Sequence, residues 1–220
     1  MTAAGGLRRF TVPATAPAGA PAVTVPAHRP VERCEMCGAE LGDRHGHVVA
    51  LDDRALRCAC RPCYLLFTPS GAGGGRLRAV PDRYVADPAH PLADADWDLL
   101  GIPVTTVFFF ANSDTDRVVA CYPSPAGATE CLLDLDGWAQ LRRAYPLLRI
   151  PLADVEAVFV TRTGGLLEAF LVPVDACYAL VGDVRLRWHG LDGGDAVRRV
   201  ITGFVDDLRA RCRSVRPGEV

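Results

Sequence analysis

From about residue 76 onward, hydrophobic and polar positions alternate in the rhythms of a folded α+β body. Pro103 to Phe110 and Val118 to Tyr122 are apolar runs flanking the polar stretch Asn112 to Asp116, the pattern of a β-hairpin. Val155 to Val160 and Leu167 to Val172 repeat that arrangement across Thr161 to Gly165. After each hairpin the period lengthens from two to between three and four. Trp138, Leu141 and Tyr145 share one face of a helix that Asp136 caps and Pro146 ends. Cys177, Leu180, Val181, Val184 and Trp188 mark the buried stripe of a second helix, with Asp175 as its cap. Val197, Val200, Ile201, Phe204, Val205, Leu208 and Cys212 carry the same rhythm over 195–212. Hairpin, helix, hairpin, helix, helix predicts an α+β fold with an antiparallel sheet and helices packed on one face.

Upstream the rhythm is absent, and composition divides the chain instead. Residues 1–32 form a leader rich in Pro and Ala, with Pro13, Pro17, Pro21, Pro26 and Pro30, which reads as extended and disordered. Arg8, Arg9 and Phe10 superficially suggest a twin-arginine export signal, but the prolines leave no apolar helical core behind them. Residues 33–67 hold a cysteine-dense module, and residues 68–76, with Ser70, Gly71, Ala72, Gly73, Gly74 and Gly75, read as a flexible hinge. The body is then 77–220. Two unassigned loops stand out within it, Tyr122 to Glu130 and Trp188 to Gly194.

Hydrophobic residues make up 50% of the chain, enough to bury a real core. The longest apolar run, Ile102 to Ala111, is about half the length that spans a bilayer, so no membrane span is expected. The net charge of −2 argues against nucleic acid, which calls for a concentrated basic face. All 24 basic residues are arginine, which excludes every mechanism that needs a lysine. A cytoplasmic location is expected, and in a reducing compartment the 9 cysteines serve as ligands and core residues rather than disulfides.

The cysteine spacing carries the clearest chemistry. Cys34 and Cys37 enclose two residues, as do Cys60 and Cys63, and 22 residues separate the pairs. Two such turns each aim a pair of sulfurs at one ion, completing a tetrahedron of four thiolates. The module is too small to fold on apolar burial alone, so the expectation is a zinc-ribbon-like domain stapled by metal. Gly38 follows the first pair, where such a turn needs positive φ, but Tyr64 stands at the equivalent place after the second. Zinc is the expected ion. Iron is the alternative, and would make the module a rubredoxin-like one-electron carrier. Cys58 has three readings: a replacement for Cys60, a thiol beside the ligands, or a core residue. His45 and His47 project to one side of an extended segment, as polar residues of an exposed loop or as ligands. Cys121, Cys131 and Cys177 lie in apolar patterns where cysteine acts as a small hydrophobe, not a nucleophile.

Cys34 to Gly38, His45, His47, Arg57 to Phe67, Tyr122 to Glu130 (YPSPAGATE) and Val172 to Gly194 together resemble an actinobacterial family encoded in gene clusters of high-affinity uptake [NiFe] hydrogenases. The resemblance covers nearly everything after about residue 30. It implies a non-enzymatic accessory or scaffold role in hydrogenase assembly or maturation, with a hydrogenase subunit or maturation factor as partner.

Overall fold

The computed structural model describes residues 31–163 and 166–216; the expected leader, apart from its last two residues, and the connection at 164–165 lie outside the described residues. The chain is α+β, with a small cysteine-bearing sheet followed by a larger, mostly antiparallel sheet covered by helices. The small sheet contains β1 (Gly46–Ala50), β2 (Ala55–Ala59) and β3 (Leu77–Ala79) in the order β2-β1-β3. A short helix, α1 (Arg61–Leu66), follows β2 directly. The ribbon's sheet therefore draws its third strand from beyond the glycine-rich stretch, with Val48 opposite Ala79 and Ala50 opposite Leu77.

The larger sheet comprises β4 (Val85–Ala86), β5 (Thr106–Asn112), β6 (Arg117–Ser124), β7 (Gly127–Cys131), β8 (Glu156–Thr163), β9 (Leu166–Pro173) and β10 (Arg213–Ser214). Their order is β10-β4-β9-β8-β5-β6-β7, and the β10–β4 pair alone among these neighbours is parallel. Both expected hairpins form. The second runs further than the apolar pattern suggested, because Thr161 to Thr163 continue β8 opposite Leu166 to Glu168.

The expectation of helices on one face fails, and the central strands explain why. In β5 the neighbours Phe108 and Phe109 are both buried, and in β8 Ala157, Val158, Phe159 and Val160 are all buried. Successive side chains of a strand point to opposite faces, so strands apolar at every position need cover on both. On one face α2 (Asp94–Leu99) and α3 (Leu135–Ala144) bring Trp97, Trp138 and Leu141 onto Val107, Phe109, Val158 and Val160. The Phe109 and Trp138 rings stack with centroids 4.7 Å apart. On the other, α4 (Val174–Arg187) and α5 (Gly194–Arg211) pack Cys177, Leu180, Val184, Val205 and Leu208 on Phe108, Phe159 and Phe170.

Several local expectations shift. The cap of α3 is Asp134, not Asp136: its carboxylate accepts from the Gly137 amide at 2.8 Å, while Asp136 already lies within the first turn of the helix. The helix still ends before Pro146. The stretch Tyr122 to Glu130, read as irregular, is the β6–β7 hairpin, with Tyr122 opposite Thr129 and Ser124 opposite Gly127. Pro123 is tolerated in β6 because the β5 pairing stops at Cys121, so its missing amide interrupts no bond to that strand.

The described residues from Glu32 onward form one compact unit. Val49 and Val80 of the ribbon region share a buried cluster with Val155 and Val174 at the edge of the larger sheet and the start of α4. Arg78 donates to Asp154 Oδ2 at 3.1 Å and to the Ala153 carbonyl at 2.9 Å. Below this seam, the fully buried Glu156 receives two charge-assisted hydrogen bonds from Arg83, at 2.7 and 2.6 Å. Among the described residues, no helix is long and apolar enough to cross a membrane.

Candidate metal centre

The first cysteine pair sits in a tight turn. Gly38 donates to the Cys34 carbonyl at 2.7 Å, Cys34 donates to the Ala39 carbonyl at 2.8 Å, and Gly38 takes the expected positive φ of 76°. The second pair uses a different device. Cys60 is the residue preceding α1, Pro62 stands in its first turn where a missing amide costs nothing, and Tyr64 donates to the Cys60 carbonyl at 2.8 Å. Tyr64 is thus helical, and the second turn needs no glycine after Cys63. Its ring lies over Gly46, where an added Cβ would come within 2.5 Å of Cδ2, and its hydroxyl donates to the Val80 carbonyl at 2.9 Å.

The two devices bring Cys34, Cys37, Cys60 and Cys63 together, each sulfur within 4.8 Å of the others. Cys37 and Cys60 are 3.6 Å apart. That is too long for a disulfide, which measures about 2.05 Å. It matches the edge of a tetrathiolate tetrahedron, about 3.8 Å for metal–sulfur bonds of about 2.3 Å. Cys34 is buried, Cys60 and Cys63 are half-buried, and Cys37 is exposed at the mouth.

The thiols respond to this crowding. Cys34 is lowered to about 6, chiefly by the Cys60 amide that hydrogen-bonds its sulfur, against the opposing effect of burial. Cys63 is pushed up to about 12, first by its hydrogen bond with the Cys60 thiol and then by that with Cys37. At Cys37 the Ala39 amide lowers the value, but the adjacent thiols of Cys34 and Cys60 carry the net shift upward. Four adjacent thiols cannot all ionise without a counter-charge, and a divalent cation supplies it. The cluster is therefore chemically suited to hold one metal ion.

Cys58, His45 and His47 gather beside it. Cys58 of β2 is directly opposite His47 of β1, and the ring of His45, just before β1, lies with its centroid 4.9 Å from that of His47. One ring nitrogen from each histidine and the Cys58 thiol lie within 4.8 Å of one another. Neither histidine side chain is exposed: His47 lies on β1 at 28%, and His45, at the end of the loop that leads into it, is only 10% exposed. His47 Nδ1 pairs with Asp175 Oδ2 at 2.7 Å, and this hydrogen bond raises the pKa of the imidazole, with burial opposing it. Asp175 was expected as the cap of α4. Instead Pro173 precedes the helix, Asp175 lies in its first turn, and its carboxylate turns to the ribbon. No sequence signal within α4 identified this residue, because its partner is 128 positions away.

The remaining cysteines stand apart. Cys177 is fully buried on α4, and burial holds its thiol well above the ordinary value; Cys121 is pushed up to about 12 for the same reason. Such thiols are poor nucleophiles.

A family profile matches residues 33–212, spanning the cysteine cluster and both sheets. The chain belongs to DUF5947, a family of unknown function. No curated protein and no solved structure matches it.

Proposed function

We propose that this DUF5947 chain is a cytoplasmic, non-enzymatic accessory or scaffold protein for [NiFe] hydrogenase assembly or maturation, in which zinc staples the ribbon and the larger domain presents a surface to a hydrogenase subunit or maturation factor. The observation that carries the metal half of this reading is the convergence of four thiols from two separate turns within 4.8 Å. Zinc is favoured over iron by the form of the second turn. A rubredoxin-like centre is built from a matched pair of glycine-following turns, whereas Cys60 and Cys63 sit at the start of a helix with Tyr64 behind them. The resemblance of Cys34–Gly38, Arg57–Phe67, Tyr122–Glu130 and Val172–Gly194 to the hydrogenase-cluster family supports the partner half.

The test is anaerobic purification followed by metal quantification by mass spectrometry, a visible spectrum, and co-purification with hydrogenase components from a host that makes them. Colourless protein with stoichiometric zinc that retains a hydrogenase subunit or maturation factor is the expected result. Iron with thiolate charge-transfer bands that bleach on reduction would replace the scaffold by the one-electron carrier. A chain that holds metal but retains no hydrogenase component would overturn the partner assignment alone.

A further inference from the structure

We infer that His45, His47 and Cys58 form a second metal site, distinct from the four-cysteine cluster, that takes a divalent ion of the zinc class and leaves one coordination position for an exchangeable ligand. Each ring is fixed by a hydrogen bond at one nitrogen. His45 Nδ1 lies 3.0 Å from the Gly42 carbonyl, which can only accept, so the proton of the neutral ring is on Nδ1. His47 Nδ1 lies 2.7 Å from the Asp175 carboxylate, which likewise accepts. Both rings are therefore tethered through Nδ1–H to oxygen, leaving Nε2 as the metal-facing lone pair. This is the arrangement by which proteins orient histidine ligands, with a backbone carbonyl or a carboxylate behind the ring.

His45 Nε2 supplies a second, independent sign. It is buried and no group among the described residues hydrogen-bonds it. An unsatisfied buried polar atom is costly, on the order of 1–3 kcal/mol. A metal ion between His45, His47 and Cys58 relieves that cost, and the 4.8 Å span of the three donor atoms needs only small side-chain rotations to reach bonds of about 2.0–2.3 Å. The strand register makes the placement rigid, since His47 and Cys58 are cross-strand partners.

Two imidazoles and one thiolate suit a borderline ion such as zinc or cobalt better than calcium or magnesium, which prefer oxygen. Three protein ligands with an open fourth place are the mark of a site that exchanges or activates a ligand, in contrast to a closed tetrathiolate. There is also a way in. His45 and His47 line a groove of about 970 Å³ that also touches Asp175, Tyr84 and Arg211. The site is thus reachable from solvent along the seam between the ribbon and α4 and α5.

Cobalt(II) titration of the full-length chain, reduced and metal-free at the start, tests the inference. Wild type is expected to take up two equivalents: one with the intense charge-transfer band of four thiolates, and one adding weaker bands of a mixed nitrogen–sulfur donor set. Cys58→Ser and His45→Ala should each abolish the second event and keep the first. Asp175→Asn, which alters a positioning residue rather than a ligand, should weaken the second event by about 10- to 100-fold and leave the first unchanged, with Asp175→Glu recovering part of the loss. Saturation of wild type at one equivalent with the four-thiolate band intact would overturn the second site and spare the first. A wild-type titration lacking that band would count against the four-cysteine centre instead. Retention of two equivalents in a chain carrying His45→Ala, His47→Ala and Cys58→Ser together would also overturn the inference.

Discussion

The ribbon and the larger domain are held by opposite means. The larger sheet is apolar on both faces and clamped between two pairs of helices, with Phe108, Phe109, Phe159 and Leu171 among its largest fully buried side chains. The ribbon sheet has three strands, buries chiefly Val48, Val49, Ala50, Ala59 and Ala79, and shares only a small apolar cluster with Val155 and Val174 of the larger domain. A body of the first kind owes its order to area removed from water. One of the second kind has little hydrocarbon of its own to bury, and in its place stand four thiols able to hold an ion. On the proposed metal-stapled reading, the chain keeps a rigid core while its cysteine-bearing part depends on metal supply.

The largest effect follows from removing the ion. Chelation under reducing conditions, or Cys34→Ser, should cost the ribbon an apparent stability on the order of 10 kcal/mol. Amide hydrogen exchange is expected to show β1 and β2 losing protection while β8 and β9 keep theirs. Equal loss in both would break the comparison. Phe159→Ala inverts the experiment. The truncation should destabilise the larger domain by about 3–5 kcal/mol, seen as a lower urea midpoint, while bound metal per folded chain stays constant.

A smaller change addresses the junction of helix and ribbon. Gly46→Ala places a methyl against the Tyr64 ring, at 2.5 Å from Cδ2, and should cost about 1–3 kcal/mol in the ribbon alone, read as faster metal loss to a competing chelator. An unchanged rate would show that Tyr64 moves freely and does not brace the second cysteine turn. The smallest effect is Asp134→Ala, which removes the acceptor for the Gly137 amide and should lower the thermal midpoint through about 1 kcal/mol without touching the metal.

Much of this architecture was legible in the linear chain. The pairing of the four cysteines was readable because spacing encodes geometry: two residues between cysteines fix both sulfurs on one side of one turn, whatever the rest of the fold does. The hairpins and the buried stripes of α4 and α5 were readable for a similar reason, since periods of two and three-to-four residues are local. Where two local solutions were open, the sequence was less decisive. Asp136 was the expected cap of α3, but the path of the chain into the helix gives that place to Asp134. The hairpin at Tyr122 to Glu130 was hidden because Pro123 and Pro125 resemble loop residues until the free side of β6 is known.

Sequence by itself determined the paired spacing of the four cysteines, the α+β class and the apolar runs of the central strands, because each is written in the residue types and periods of short segments. Tertiary structure decided that the sheet is covered on both faces, that β3 completes the ribbon, and that Asp175 stands behind His47. Those are pairings across long separations, up to 128 positions, and no local period encodes them. They arise when the buried cluster of Val49, Val80, Val155 and Val174 seats the ribbon beside α4, setting a carboxylate of one element against an imidazole of the other.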